Sequence, residues 1–135
     1  MYRTIIVDDD VETLQGLRNF LDWDAYGFTV EATAQSAEQA LPMIEQLEPD
    51  LLITDITMTG ADGFSLLQRS RELLPSLEAI ILTCHADFGF ARAAIESDVA
   101  SYLTKVTLTE DELAKALTKV RRRLSDASNT LRRQV

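Results

Sequence analysis

Cysteine is nearly missing from these 135 residues, Cys84 being the sole example. A lone cysteine excludes an intrachain disulfide, and with a single histidine, His85, it excludes a zinc cage. Proline occurs three times and glycine five, and no Gly/Ser/Pro-rich linker or internal repeat divides the chain. One domain is therefore expected. No run of about 18 apolar residues occurs, so no membrane span is expected. The N-terminus lacks the basic-then-apolar layout of a secretion signal. These gaps point to a soluble, cytoplasmic domain. Basic residues are outnumbered 13 to 22, for a formal charge of −9. Such a surface repels phosphate backbones and anionic membranes. What is present is ordinary globular material, 46% hydrophobic and 26% charged, which excludes wholesale disorder.

The charge is uneven. Residues 1–104 carry 18 acids and five bases, a net of −13, whereas residues 105–135 carry four acids and eight bases, a net of +4. The basic end contains Arg121-Arg122-Arg123 and Arg132-Arg133. It reads as a solvated helix face followed by a tail, or as a contact with an acidic partner.

Short apolar runs alternate with helical periods. Thr4-Ile5-Ile6-Val7, Leu51-Leu52-Ile53 and Ala79-Ile80-Ile81-Leu82 are apolar on consecutive residues, as strands buried on both faces are. Phe28, Val30, Ala32 and Ala34 alternate with polar residues, which predicts a strand nearer an edge. Ala100-Ser101-Tyr102-Leu103 is a weaker fifth strand. Between them, Val11, Leu14, Leu17 and Leu21 predict a first helix. A capping box at Ser36 and Gln39 opens a second, with Ala40, Ile44 and Leu47 on its face and a kink expected at Pro42. Phe64, Leu67 and Leu74 fit a third, and Phe88, Ala91, Ala94 and Ile95 a fourth. A box at Thr109 and Glu112 opens a fifth, with Leu113, Leu117, Val120 and Leu124. Five β-then-α units predict a parallel sheet with helices on both faces.

Open sheets of this kind bind ligands beyond the carboxyl ends of their strands. There the apolar runs end in Asp8-Asp9-Asp10, Asp55, Thr83 and Lys105. Crowded carboxylates repel unless a cation sits among them, and oxygen ligands suit Mg²⁺. Carboxylates, a metal, a hydroxyl and an ammonium in one crevice describe a phosphoryl site. An aspartate there can itself become an aspartyl-phosphate. Singly the residues are bland: Asp10 reads as a helix N-cap, Thr83 as a β-branched strand residue and Lys105 as a solvated cation. Four strands contributing the right group at the same end is the specific signal.

In the order Val7-Asp8-Asp9-Asp10, Ile53-Thr54-Asp55-Ile56-Thr57-Met58, Asp62-Gly63, Leu82-Thr83 and Tyr102-Leu103-Thr104-Lys105, the chain resembles the receiver domain of bacterial two-component response regulators. The likeness covers about residues 3–124. It implies a flavodoxin-like (βα)5 doubly wound sheet with strand order 2-1-3-4-5. It implies that Asp55 takes a phosphoryl group from a sensor kinase histidine, by self-catalysed transfer and with slow autodephosphorylation rather than as a separate enzyme. Asp8, Asp9, Asp55 and the Thr57 carbonyl would hold Mg²⁺. Thr83 and Lys105 would bind phosphoryl oxygens, and Tyr102 would be the aromatic switch that follows Thr83 inward. Helix four, strand five and helix five would then change, commonly altering homodimerisation. Thr57 and His85 would flank the path of the hydrolytic water. The family's usual prolines are replaced by Thr59 and Val106, and Asp98 stands where a glycine is usual at the exit of helix four. A trans bond is expected between Lys105 and Val106.

Trp23-Asp24-Ala25-Tyr26-Gly27-Phe28 and the pattern from Asp87-Phe88 to Ala94-Ile95 are similar to receivers joined to AraC-type DNA-binding domains. DNA contact would come only through such an output domain, which these residues do not contain. The receiver is expected over 1–124, with 125–135 a tail or linker toward it. Leu131 alternatively extends the last helix into a two-stranded seam. Two other readings stand beside this one. Asp8-Asp9-Asp10 formally contains the D-x-D of haloacid dehalogenase phosphatases, with Asp8 as nucleophile and Asp10 as acid/base. A pseudo-receiver would bind partners without phosphorylation.

Overall fold

The computed structural model describes residues 1–58, 62–84 and 88–134, with side chains given up to Ala127 apart from Phe88. Five strands form one parallel sheet: β1 (Tyr2–Val7), β2 (Phe28–Ala34), β3 (Leu51–Thr54), β4 (Glu78–Thr83) and β5 (Ser101–Thr104), in the order β2-β1-β3-β4-β5. Helices α1 (Val11–Arg18), α2 (Ala37–Leu47), α3 (Gly63–Leu73), α4 (Phe88–Glu96) and α5 (Glu110–Gln134) follow the strands in turn. A short 3-10 turn, Trp23–Tyr26, precedes β2. The flavodoxin-like α/β fold and its strand order are as expected.

Alternation of side chains along the central strands builds two cores. Ile6, Leu51, Ile53, Ile80 and Leu82 face α1 and α5, where Leu14, Leu17, Leu113, Leu117 and Val120 meet them. Ile5, Val7, Leu52 and Ala79 face α2 and α3, against Ala40, Ile44, Leu66 and Leu67. Burial on both faces explains why these strands are apolar throughout. The edge strand β2 buries Phe28 and Ala34, and its register skips one residue between Thr4 and Ile5 of β1.

Local signals set the helix ends. The Asp10 side chain caps α1, Ser36 caps α2 and Asp62 caps α3, each accepting a hydrogen bond from a first-turn N–H. At α2, the Gln39 side chain accepts from the N–H of Gln35, one residue before the cap. Thr109 and Glu112 form the full reciprocal box on α5.

Several expectations need correction. Helix α1 ends at Arg18, so Leu21 is buried from the following turn, beside Trp23 whose indole N–H donates to the Leu17 carbonyl at 3.0 Å. Val11 opens α1 and is exposed, because a first-turn residue precedes the stripe that reaches the sheet. On α4, Ala94 is buried but Ile95 is 80% exposed, since adjacent helical positions lie about 100° apart. Leu66, left out of the expected stripe, is fully buried. Helix α5 does not stop at Leu124. It runs unbroken to Gln134 through a stretch without glycine or proline, which is the extension through Leu131 that the sequence offered beside a tail.

Candidate functional site

Strand order reverses between β1 and β3, and the crevice beyond their carboxyl ends collects the charged residues. Parallel register places Val7 beside Thr54 and Thr54 beside Ile81, so the residues that follow β1 and β3 emerge together. Carboxylate oxygens of Asp8, Asp9 and Asp55 lie within 4.8 Å of one another, with Asp8 and Asp55 buried and Asp9 exposed. Lys105, just past β5, directs its ammonium into the cluster. Its Nζ lies 2.8 Å from Asp55 Oδ2 and also pairs with Asp8 Oδ2. The remaining oxygens are held by main chain: Asp10 N–H donates to Asp8 Oδ1 at 2.9 Å and Ile56 N–H to Asp55 Oδ1 at 2.7 Å.

Burial pushes the Asp8 carboxyl above its ordinary value of 3.8, and the nearby Asp55 charge pushes the same way. The Lys105 hydrogen bond and the Asp10 N–H oppose this without cancelling it. Burial also works against the Lys105 ammonium, but hydrogen bonds to Asp55 and Asp8 outweigh it, and the net displacement is upward. One ammonium thus serves two buried carboxylates, with a third acid alongside. This all-oxygen, anion-rich donor set has the chemistry of a divalent, hard-cation site.

Other expected residues fall around this centre. Thr83 ends β4 fully buried, and its carbonyl accepts from Lys105 N–H at 2.9 Å, which ties β4 to the lysine. Tyr102 is half-buried on β5, in register with Ile81. Thr57 is exposed two residues past Asp55. His85, Thr59 and Asp87 lie outside the described residues, as do the side chains of Phe88, Leu131, Arg132 and Arg133. The described peptide bonds are all trans, that before Val106 among them. Asp98 has φ +51°, the left-handed conformation for which its usual glycine counterpart is suited.

Two residues beside Asp55 carried no assigned role in the sequence. Thr54 Oγ1 donates to the Asp55 carbonyl at 2.9 Å. Gly63 opens α3 so close to that carbonyl that a Cβ would stand 2.1 Å from its oxygen. A polar residue ending a buried strand, and a glycine directly after an N-cap aspartate, were the available signals.

A five-stranded 2-1-3-4-5 sheet with acids and a lysine at its switch point defines a receiver-type signalling domain. The chain belongs to the response regulator receiver domain family, whose profile matches residues 4–118. It is 37% identical over 105 residues to an uncharacterized response regulatory protein of Staphylococcus epidermidis, covering 78% of this chain and 41% of that protein. The chain therefore spans about two-fifths of that relative's length. The receiver domain of AraT, a response regulator from Geobacillus stearothermophilus, superposes with a TM-score of 0.86 at 30% identity, over 94% of this chain and 98% of the other. A two-component transcriptional regulator AraC from Clostridium phytofermentans gives a TM-score of 0.83 at 27% identity, over 93% and 97%. Among the described residues, no helix is long and apolar enough to cross a membrane.

Proposed function

We infer that Asp55 is the phosphoryl acceptor and that a sensor histidine kinase is the donor. The observation that carries this reading is the Asp8, Asp9, Asp55 cluster closed by Lys105 at the β1/β3 switch point. An Asp55 carboxylate oxygen forms the new bond to phosphorus as the bond from phosphorus to the histidine nitrogen breaks, and the freed imidazole keeps the nitrogen electron pair and takes up a proton. Asp8, Asp9, Asp55 and the Thr57 carbonyl would hold Mg²⁺, which would supply charge neutralisation for the transferring oxygens. Lys105 is already paired with Asp55 Oδ2 and can shift to a phosphoryl oxygen with little motion. Thr83 ends the neighbouring strand and would turn its hydroxyl to the same group, and Tyr102 on β5, in register with Ile81, is the residue that would respond to its movement. A catalyst acting on itself in this way needs no separate substrate pocket.

The altered surface is α4, β5 and α5, where Ile95 and Val106 are each 80% exposed, and a homodimer through it is the expected output. In a longer protein the output is transcription through a DNA-binding domain of AraC type, reached through residues 125–135, and the setting is cytoplasmic. Against the phosphatase alternative stands the capping of α1 by the Asp10 carboxylate, which accepts from Glu12 N–H and Thr13 Oγ1.

Incubation with acetyl phosphate and Mg²⁺ tests the assignment. The chain should gain one acid-stable, base-labile phosphoryl mass, and Asp55→Ala should abolish it. Label that persists in Asp55→Ala but disappears in Asp8→Ala would restore the phosphatase reading. No label under any condition would leave the pseudo-receiver.

A further inference from the structure

The peptide group joining Asp55 to Ile56 is held at both of its polar ends. Its N–H donates to Asp55 Oδ1 at 2.7 Å, and its carbonyl accepts from Thr54 Oγ1 at 2.9 Å. The same carbonyl is pressed by the start of α3, where a Cβ on Gly63 would come within 2.1 Å of the oxygen. Gly63 N–H in turn donates to the Ile56 carbonyl at 2.8 Å. Thr54 itself is 1% exposed, and its other polar neighbour is Met58 Sδ at 4.0 Å.

Hydrogen bonds to the two ends of one amide are coupled. A donor at the carbonyl polarises the group and strengthens the N–H as a donor in turn. The carbonyl bond also fixes the peptide plane, and with it the direction in which the N–H points. The Thr54 hydroxyl therefore reaches the Asp55 carboxylate through a single peptide group. Asp55 has its Oδ1 set by Ile56 N–H and its Oδ2 by Lys105, so rotation of the carboxylate gives up both contacts.

We propose that Thr54 is a positioning residue for Asp55, holding the 55–56 peptide so that the carboxylate stays in the orientation from which it accepts a phosphoryl group. The inference rests on the phosphoryl-accepting reading of Asp55. A hydroxyl that only satisfied a buried strand end would alter stability and leave the transfer step alone. A positioning hydroxyl acts on the step after the donor has bound, because a misaligned nucleophile costs rate and not affinity.

The test uses the 135-residue chain with Mg²⁺ and acetyl phosphate, following phosphoryl mass against time over a range of donor concentrations. Thr54→Val keeps the shape and removes the hydroxyl. It should lower the saturating rate about tenfold and leave the half-saturating donor concentration within about twofold. Thr54→Ser restores the hydroxyl and should recover the rate to within about twofold of wild type. A Thr54→Val chain as fast as wild type overturns the proposal, and so does a Thr54→Ser chain as slow as Thr54→Val. If valine prevents folding, Thr54→Ser against Thr54→Ala makes the same comparison, and equal rates there overturn it. A wild type that takes no phosphoryl group overturns this proposal together with the Asp55 reading. A labelled wild type matched by Thr54→Val overturns this proposal alone.

Discussion

Thr4 sits on β1 between β2 and β3, wholly buried, and its hydroxyl has no hydrogen-bond partner among the described residues. A buried hydroxyl without a partner forfeits its hydration and gets nothing back, at a cost of about 1–3 kcal/mol. Valine has the same branched shape. Thr4→Val should therefore stabilise the domain by about 1 kcal/mol, seen as a higher urea midpoint at unchanged slope. A lower midpoint would show that the hydroxyl is satisfied. Thr54, one strand away and equally buried, is the contrast, since its hydroxyl is committed to the Asp55 carbonyl. Both are threonines ending or lining apolar strands, and sequence alone cannot separate them. Which carbonyl lies within reach depends on loops that the strand does not contain.

At the scale of elements, ends carry more information than middles. Asp10 shows how three adjacent acids divide their work. Its side chain caps α1, its N–H holds Asp8, and its carboxylate lies outside the cluster formed by Asp8, Asp9 and Asp55. Asp10→Ala should cost about 1 kcal/mol of stability by denaturant melting, as the loss of an N-cap does. The Asp10→Ala chain should still take the phosphoryl label, and loss of label at intact fold would return Asp10 to the chemistry. The exit of α4 shows how a position that favours glycine accepts aspartate. Asp98 pays the left-handed strain, while its carboxylate accepts from Arg123 at 3.1 Å and its carbonyl from Arg71 at 3.1 Å. Arg71 also donates to the carbonyls of Leu77 and Ser97, so one side chain from α3 fastens the loop that follows α3 to the loop that follows α4. The basic run of α5 is thereby partly accounted for, because Arg123 spends its charge inside the domain.

Over the whole molecule, the −9 charge proves to be arranged and not merely abundant. Asp8 and Asp55 are gathered around Lys105, while Glu78 at the start of β4 faces Arg123 from α5. Arg123 Nε lies 2.7 Å from Glu78 Oε1 but without hydrogen-bond alignment, so the attraction is Coulombic only. Burial raises the Glu78 carboxyl above its ordinary 4.5, and the charges of Arg123 and Arg71 only partly oppose it. A raised folded value means the folded state holds the proton more tightly than the unfolded chain. That contribution to stability is complete below the ordinary value and is lost as pH rises through the folded one. Glu78→Gln mimics the protonated form at every pH. Its stability relative to wild type should therefore increase between about pH 4 and pH 8, measured by urea midpoints, despite the broken ion pair. A difference that stays flat across that range would show that Arg123 fully offsets the burial.

The sequence by itself determined the alternation of five strands and five helices, the two capping boxes, and the set of acids, hydroxyl and lysine that end the strands. These follow from nearest neighbours in the chain: apolar periodicity, β-branching and side chains that compete for the next few N–H groups. The likeness to receivers added the strand order, which periodicity does not contain. Tertiary structure alone decided which carboxylates share the lysine and that Ile95 faces away from the core. It also decided that Thr54 and Gly63 bracket the Asp55 carbonyl. These are distances between residues far apart or separately oriented in the chain, set by how helices seat on the sheet, and no local pattern encodes them.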